Sequence, residues 1–326
     1  MPKIIHPKQD SFTPNGQLLE HGVYDDIISD TNLRQWDNDG GLIKRRRSQR
    51  KAWMFIGAYS EDLMVGMAIA DAGFLANAFA YFYVPGESIY KEQKVLLPFG
   101  FPNNFDGGLF DRWNLRNFNI ESHNGILRGS CSGDFQMTIE LEHNDKGLSF
   151  ICPTVDRPFN FTYKNLCLPT KVSVFYKGKQ YTLEGLQGGL DLSKGYPPRH
   201  TTWNWALVSG QTTQGIPVGM NLFRGHNGKY ENAAWIGEDR ILLSNTNFIY
   251  DKTKKLDKQI WTLQTEDGLV DLKFTPSKAR REKIDVKFLS HDFTQPFGKF
   301  EGTIKHNGQT YELTGYGPTE EHDSLW

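Results

Sequence analysis

An eight-residue run, Gly178-Lys-Gln-Tyr-Thr-Leu-Glu-Gly185, recurs as Gly308-Gln-Thr-Tyr-Glu-Leu-Thr-Gly315. Each run is entered through a turn dipeptide, Lys177-Gly178 or Asn307-Gly308. Asn-Gly between two strand-like runs is among the strongest short hairpin signals. A chain that spells the same hairpin twice must accommodate two similar β units. Two further runs keep the same order: Val65-Gly66-Met67 with Val218-Gly219-Met220, and Asn124-Gly125-Ile126-Leu127 with Asp267-Gly268-Leu269-Val270. The separations fall from 153 to 143 to 130 residues, so the first half carries about 23 extra residues. Ordered internal matches of this kind indicate a duplication.

The rest of the chain is punctuated in the same way. Residues 1 to about 45 read as an irregular polar lead that Trp36 could dock onto the body. Leu63 to Ile69 and Phe74 to Val84 are strand-length apolar runs, the second with Phe79, Tyr81 and Tyr83 in period two. Lys91 to Arg112, rich in Pro, Gly and Asn, reads as a long excursion at a rim or lid. Strands are expected at 118–120, 126–130 and 172–176, and Phe135, Met137, Ile139 and Leu141 alternate cleanly. The second half repeats the pattern at 205–209, 216–223, 241–250, 259–265, 269–275, 284–289 and 297–305. Long helical patterns are missing. Regularly spaced strands with glycine turns predict an all-β barrel or sandwich, and the duplication predicts it twice. The expected division is a lead over 1–45, a first β unit over 46–195 and a second over 196–326.

Between the halves lies Asp191-Leu-Ser-Lys-Gly-Tyr-Pro-Pro-Arg-His-Thr-Thr-Trp-Asn-Trp-Ala206. Gly195, Pro197 and Pro198 interrupt any regular period. A solvated connector would not carry Trp203 and Trp205, so this stretch reads as a hinge against an apolar wall. Glu320, Glu321, His322 and Asp323 follow the second hairpin as the hinge follows the first. Two polar clusters at matching exits point to barrel mouths or to the junction between barrels, where small-molecule sites form.

Composition narrows the classes. With 326 residues, 13% aromatic, the chain can build a large core. A net charge of −1 offers no global field for nucleic acid or an anionic membrane. The run Lys44-Arg45-Arg46-Arg47 with Arg50 and Lys51 is local, a solvated lead-in to a strand or a peripheral contact to phosphate or lipid headgroups. No apolar stretch marks a signal peptide or reaches the ~18 residues of a membrane span. Cys131, Cys152 and Cys167 are odd in number and lack CxxC spacing, which suits reduced thiols in the cytoplasm.

The segment Gly188 to Ala206 resembles the hallmark of the family known as domain of unknown function 2804. Gly219-Met-Asn-Leu222, Glu231-Asn-Ala-Ala-Trp235, Trp261, Asp267-Gly268, Phe274-Thr-Pro276, Gln295-Pro-Phe-Gly298 and Glu320-Glu-His-Asp-Ser-Leu-Trp326 extend the resemblance. His200 stands where that pattern has a second arginine after Arg199. More distantly the two-half plan is similar to the calycin-like double-barrel group, which includes carotenoid hydratases, tocopherol cyclase and AttH-type proteins. The resemblance implies paired lipocalin-like barrels and an apolar ligand; it brings no catalytic residues.

Candidate chemistry concentrates in two clusters. Glu320, Glu321, His322 and Asp323 could supply a general acid, since desolvation raises a carboxyl pKa and His titrates near neutrality. The alternative is a solvated acidic tail anchored by Trp326. Arg199 and His200, beside Trp203 and Trp205, could orient a ligand carboxylate or carbonyl. Arg199 could instead pair with Asp191 or the acidic tail and clamp the halves together. Asn221, Asn232 and Trp235 are candidate barrel-lining contacts, and His291 a candidate polar contact or a satisfied structural donor. No HxH, HExxH or cysteine pair suggests a metal, and no Gly-rich nucleotide loop or GxSxG elbow suggests a cofactor or serine nucleophile. Three readings remain open. The first is a protein binding a hydrophobic or amphipathic, lipid- or isoprenoid-like molecule. The second is a cofactor-independent hydratase, cyclase or isomerase using the C-terminal acids. The third is a structural or adaptor protein with filled barrels.

Overall fold

The computed structural model of the chain describes residues 4–5, 20–24, 27–28, 49–73, 75–98, 112–155, 157–286 and 289–325. Trp36, the basic run over 44–47, Phe74, residues 99–111 and Trp326 lie outside the described residues.

The first half forms β1 (Ile4–Ile5), β2 (Gly22–Tyr24), β3 (Lys51–Tyr59), β4 (Met64–Asp71), β5 (Leu75–Val84), β6 (Ile89–Pro98) and β7 (Trp113–Leu115). It continues with β8 (Phe118–His123), β9 (Ile126–Cys131), β10 (Gln136–Glu142), β11 (Leu148–Thr154), β12 (Arg157–Tyr176) and β13 (Lys179–Gly195). The second half forms β14 (His200–Thr212), β15 (Pro217–Gly225), β16 (Ala233–Ile236), β17 (Asp239–Leu242) and β18 (Thr246–Ile249). It ends with β19 (Trp261–Thr265), β20 (Val270–Val286), β21 (Leu289–His306) and β22 (Gln309–Leu325).

Two barrel-like sheets result, antiparallel except for the pairing of β1 with β2, and their strand orders correspond. The first runs β6-β5-β4-β3-β13-β12-β10-β9-β8-β7, and the second β17-β16-β15-β14-β22-β21-β20-β19-β18. Val65-Gly66-Met67 lies on β4 and Val218-Gly219-Met220 on β15, the corresponding strand. The repeated hairpins join β12 to β13 and β21 to β22. Their turn residues Lys177, Gly178, Asn307 and Gly308 all have positive φ, between 48° and 79°, as a two-residue primed turn requires. The middle match is displaced by one hairpin: Asn124-Gly125 turns between β8 and β9, whereas Asp267-Gly268 turns between β19 and β20. In the first half β10 and β11 both pair with β12, where the second half has the single strand β20 against β21. The residues between β10 and β11 are one place where the first half is longer.

Burial explains the near-continuous apolar strands. On β3, Ala52, Met54, Ile56 and Ala58 face the interior of the first barrel, with Phe82, Trp113, Phe118 and Phe135. Their neighbours Phe55 and Tyr59 face the other way, into a separate layer with Tyr81, Trp205, Leu207, Phe223, Trp235 and Phe297. Ala206, Val208, Trp261, Phe274 and Phe300 fill the second barrel. The outer faces of the two sheets therefore pack on each other, and both faces of the central strands are buried. Tyr81 stacks on Phe297 at 5.0 Å, Phe55 meets Trp205 edge-on at 5.7 Å, and Trp53 stacks with Trp203 at 6.2 Å across this layer. Polar bridges reinforce it: the Trp235 indole donates to the Lys146 carbonyl, and Arg280 of β20 reaches Glu92 of β6 at 2.9 Å.

Three expectations change. The supposed hinge is mostly strand, since β13 continues to Gly195 and β14 begins at His200, leaving only 196–199 outside. Strands buried on both faces lose the alternation that marks a strand in sequence. Gly195 serves close approach rather than flexibility: a Cβ there would stand 2.7 Å from the Asn160 Cα. Residues 91–98 of the supposed excursion belong to β6, a half-exposed edge strand whose polar side chains hid its register. The lead contributes β2, which pairs with β11 and buries Tyr24 in the first core. Among the described residues, no helix is long and apolar enough to cross a membrane.

Candidate functional site

Between the two sheets lies a pocket of about 150 Å³ with a mainly apolar lining. Trp53, Phe55 and Phe79 come from the first sheet, and Trp203, Trp205 and Phe293 from the second. The volume equals that of a cavity able to hold one benzene-sized ring. It is below the ~300 Å³ usual for a drug-sized ligand. A larger cleft of about 470 Å³ opens beside it, lined by Lys252, Lys283, Asp292, Glu321 and Asp323. Its ion pairs, Lys283 with Asp292 and Lys252 with Glu321, have mostly exposed side chains and few apolar neighbours. The aromatic pocket has the more selective chemistry.

Glu320 of β22 sits on the pocket wall. Trp203 Nε1 donates to its Oε2 at 2.9 Å, and Gln295 Nε2 donates to its Oε1 at 2.7 Å. Both bonds favour the charged form, yet burial outweighs them and pushes the carboxyl up to about 7. The neighbouring Asp191 adds to the rise and Lys164 opposes it. Asp191 of β13 pairs with Lys164 of β12, and Lys164 also reaches Glu231 at 2.8 Å across the junction. The register places Lys164 opposite Asp191. Glu231 is further held by Asn227, and burial raises its carboxyl.

Three histidines face the same space. His322 stacks on Trp203 at 3.4 Å, and its Nε2 shares a proton with Ser324, which in turn meets His291 Nδ1 at 2.8 Å. His226 packs 5.7 Å from both Trp203 and Phe223. Burial keeps all three neutral: it lowers His291, takes His226 down to about 4 and His322 well below its ordinary value. On the far side, Arg280 lies over Phe79 at 3.8 Å and pairs with Glu92 and Glu282.

The structure thus brings Glu320, His322, Trp203, Trp205 and His291 to one pocket. It separates the other sequence candidates from them. Glu321 turns outward to Tyr250 and Lys252 because side chains alternate along β22. Asp323 does the same and pairs with His200, both about 60% exposed. Arg199 is exposed and makes no ion pair among the described residues; Asp191 is taken by Lys164. Asn221 holds the Trp205 indole and the Glu231 carbonyl, Asn232 bridges to both backbone groups of Phe223, and Trp235 ties to Lys146. These three support the pocket from behind.

Sequence reasoning missed Trp53, Lys164, Glu231, His226 and Arg280. Lys164 was concealed by alternation: with Asn160 and Thr162 it falls on the polar side of the stretch 159–164, which reads as the solvated face of a strand. Arg280 was concealed in the basic run 278–283, which reads as a solvated face. Among the described residues, no three His, Cys, Asp or Glu side chains are arranged to hold a metal ion.

The family model described as domain of unknown function (DUF2804) matches residues 3–326. No curated protein sequence matches the chain. Among solved structures, the fold is similar to that of an AttH-type protein from Nitrosomonas europaea, with a TM-score of 0.52 and 15% identity, over 83% of this chain and 92% of that one. It is also similar to kievitone hydratase from Nectria haematococca, with a TM-score of 0.53 and 11% identity, over 96% of this chain and 98% of that one. At these identities the likeness is one of fold.

Proposed function

The chain belongs to the DUF2804 family, a domain of unknown function, and from that premise we propose that it binds a hydrophobic or amphipathic small molecule between its two barrels and moves a proton to or from it through Glu320. The observation that carries this reading is the placement of Glu320: an acid held by Trp203 and Gln295 on the wall of an aromatic pocket. A general acid works best when its pKa lies near the operating pH, and burial takes Glu320 to about 7. Protonation of an alkene carbon by the Glu320 carboxyl would leave a cation for water to attack. The proton that water then loses returns to the Glu320 carboxylate, so one residue closes a hydration cycle without a cofactor. Run internally, the same first step gives cyclisation or isomerisation. The fold shared with a hydratase lends support by analogy only.

A second reading, ligand binding without turnover, is favoured by one observation. Both Glu320 oxygens already accept hydrogen bonds, an arrangement that also suits a purely structural carboxylate. Solvent-deuterium incorporation separates the two. The ligand is extracted from protein purified from its own host and returned to wild type and to Glu320→Gln in D₂O. The proton-transfer reading expects deuterium in the ligand with wild type and a loss of at least 100-fold in the variant. Equal exchange in both proteins removes Glu320 as the acid, and unexchanged ligand bound by both supports the carrier.

A further inference from the structure

The polar groups facing the pocket are unevenly satisfied. Lys164 is shared by Asp191 and Glu231, and Arg280 by Glu92 and Glu282. Both cations of the lining are therefore committed to carboxylates. The lining holds four carboxyl side chains, Asp191, Glu231, Glu282 and Glu320, against those two cations. The histidines add no positive charge, because burial holds them neutral. An anionic ligand head would be desolvated here with no free cation to meet it. Of the two groups expected at Arg199 and His200, a carboxylate or a carbonyl, this disfavours the carboxylate.

Hydrogen-bonding capacity nevertheless remains. Asp191 is 6% exposed, and its Oδ1 has no hydrogen-bond partner. Neither ring nitrogen of His226 has one either, although both are shielded from solvent. Buried polar groups normally find partners, and an exception calls for an explanation. A neutral imidazole offers one donor and one acceptor, and a carboxylate offers acceptors only. A hydroxyl group, at once donor and acceptor, serves Asp191 Oδ1 and the protonated ring nitrogen of His226. The aromatic walls and a volume of about 150 Å³ fit a single ring beside it.

Resting on the proposed location of the ligand, we infer that the molecule taken into the junction pocket is uncharged and presents a ring bearing a hydroxyl group, which Asp191 and His226 recognise. The hydroxyl donates to Asp191 Oδ1 and accepts from the His226 ring N–H. The ring lies among Trp53, Trp203 and Trp205, and further parts of the molecule leave through the open side.

Three one-ring probes of similar size test this: phenol, toluene and benzoate. The readout is the shift of the Trp203 and Trp205 indole N–H signals in two-dimensional NMR of the full chain. Phenol is expected to bind about tenfold more tightly than toluene, the yield of one hydrogen bond to a charged group, and benzoate to shift neither signal. Asp191→Asn and His226→Phe should each bring phenol towards the level of toluene. His226→Phe removes no hydrogen bond within the protein, so it serves even if Asp191→Asn, which weakens the Lys164 pair, fails to fold. Toluene binding as tightly as phenol, or benzoate binding at all, overturns the hydroxyl inference while the ring site stands. If no probe moves the indole signals, the ring site itself falls.

Discussion

Glu320 links stability to pH with a definite sign. Its carboxyl sits at about 7 in the folded chain against an ordinary 4.5, so the folded state holds the proton more firmly than the unfolded one. The stability this contributes is complete below about pH 4.5 and is lost as pH rises through about 7. The histidines act in the opposite sense. His226, lowered to about 4 from 6.5, favours the folded state above pH 6.5 and loses that contribution as pH falls towards 4. A plain stability curve mixes the two. Comparing wild type with Glu320→Gln isolates the carboxyl. The wild-type advantage in urea unfolding should be greater at pH 5 than at pH 8, by about 3 kcal/mol at most. A difference independent of pH would mean that the side chain is solvated in both states.

At the scale of elements, the two sheets are joined by strands that place charge at the shared layer. Arg280 on β20 reaches Glu92 on β6 and lies over Phe79 on β5. Removing it strands Glu92 and Glu282 in a largely buried setting. Arg280→Ala should therefore cost about 3 kcal/mol or more of stability, whereas exposed Arg199→Ala should stay within about 0.5 kcal/mol. Thermal melts of the two variants check this, and equal losses would return the clamp to the segment before β14. The contrast shows what the sequence could tell. Strands with one exposed face, such as β10 with Met137, Ile139 and Leu141, were legible from period two. The hairpin turns were legible from Lys177-Gly178 and Asn307-Gly308. The end of β13 was not, because burial on both faces removed its alternation and Gly195 with two prolines looked like a break. Half of the candidate site was legible in the same way: Glu320, His322, Trp203 and Trp205 stood in two polar-aromatic clusters, and His291 stood apart as a single candidate. Lys164 becomes a neighbour of that half only when the sheets pack face to face, whereas His226, Glu231 and Arg280 reach it through the pairing of β14 with β15, of β20 with β21 and of β21 with β22; no local pattern encodes either contact.

On the scale of the whole molecule, duplication supplies the geometry. Two sheets with corresponding strand orders each direct one face inwards to a filled core and one outwards to the other sheet. Corresponding strands β13 and β22 bring Asp191 and Glu320 to the same pocket. The second sheet buries acids that it cannot neutralise alone, and Lys164 of the first sheet meets Glu231 there. The site therefore exists only where the halves join. The proposed function depends on whether this junction desolvates Glu320 enough to leave it an acid near neutral pH. The most direct measurement is a ¹³C NMR titration of the side-chain carboxyl groups in glutamate-labelled protein, with the Glu320 signal assigned by its loss in Glu320→Gln. A midpoint near 7 for Glu320 is the predicted result. A midpoint near 4.5 would contradict the central claim, because the junction would then be wet and its acid an ordinary ionised glutamate.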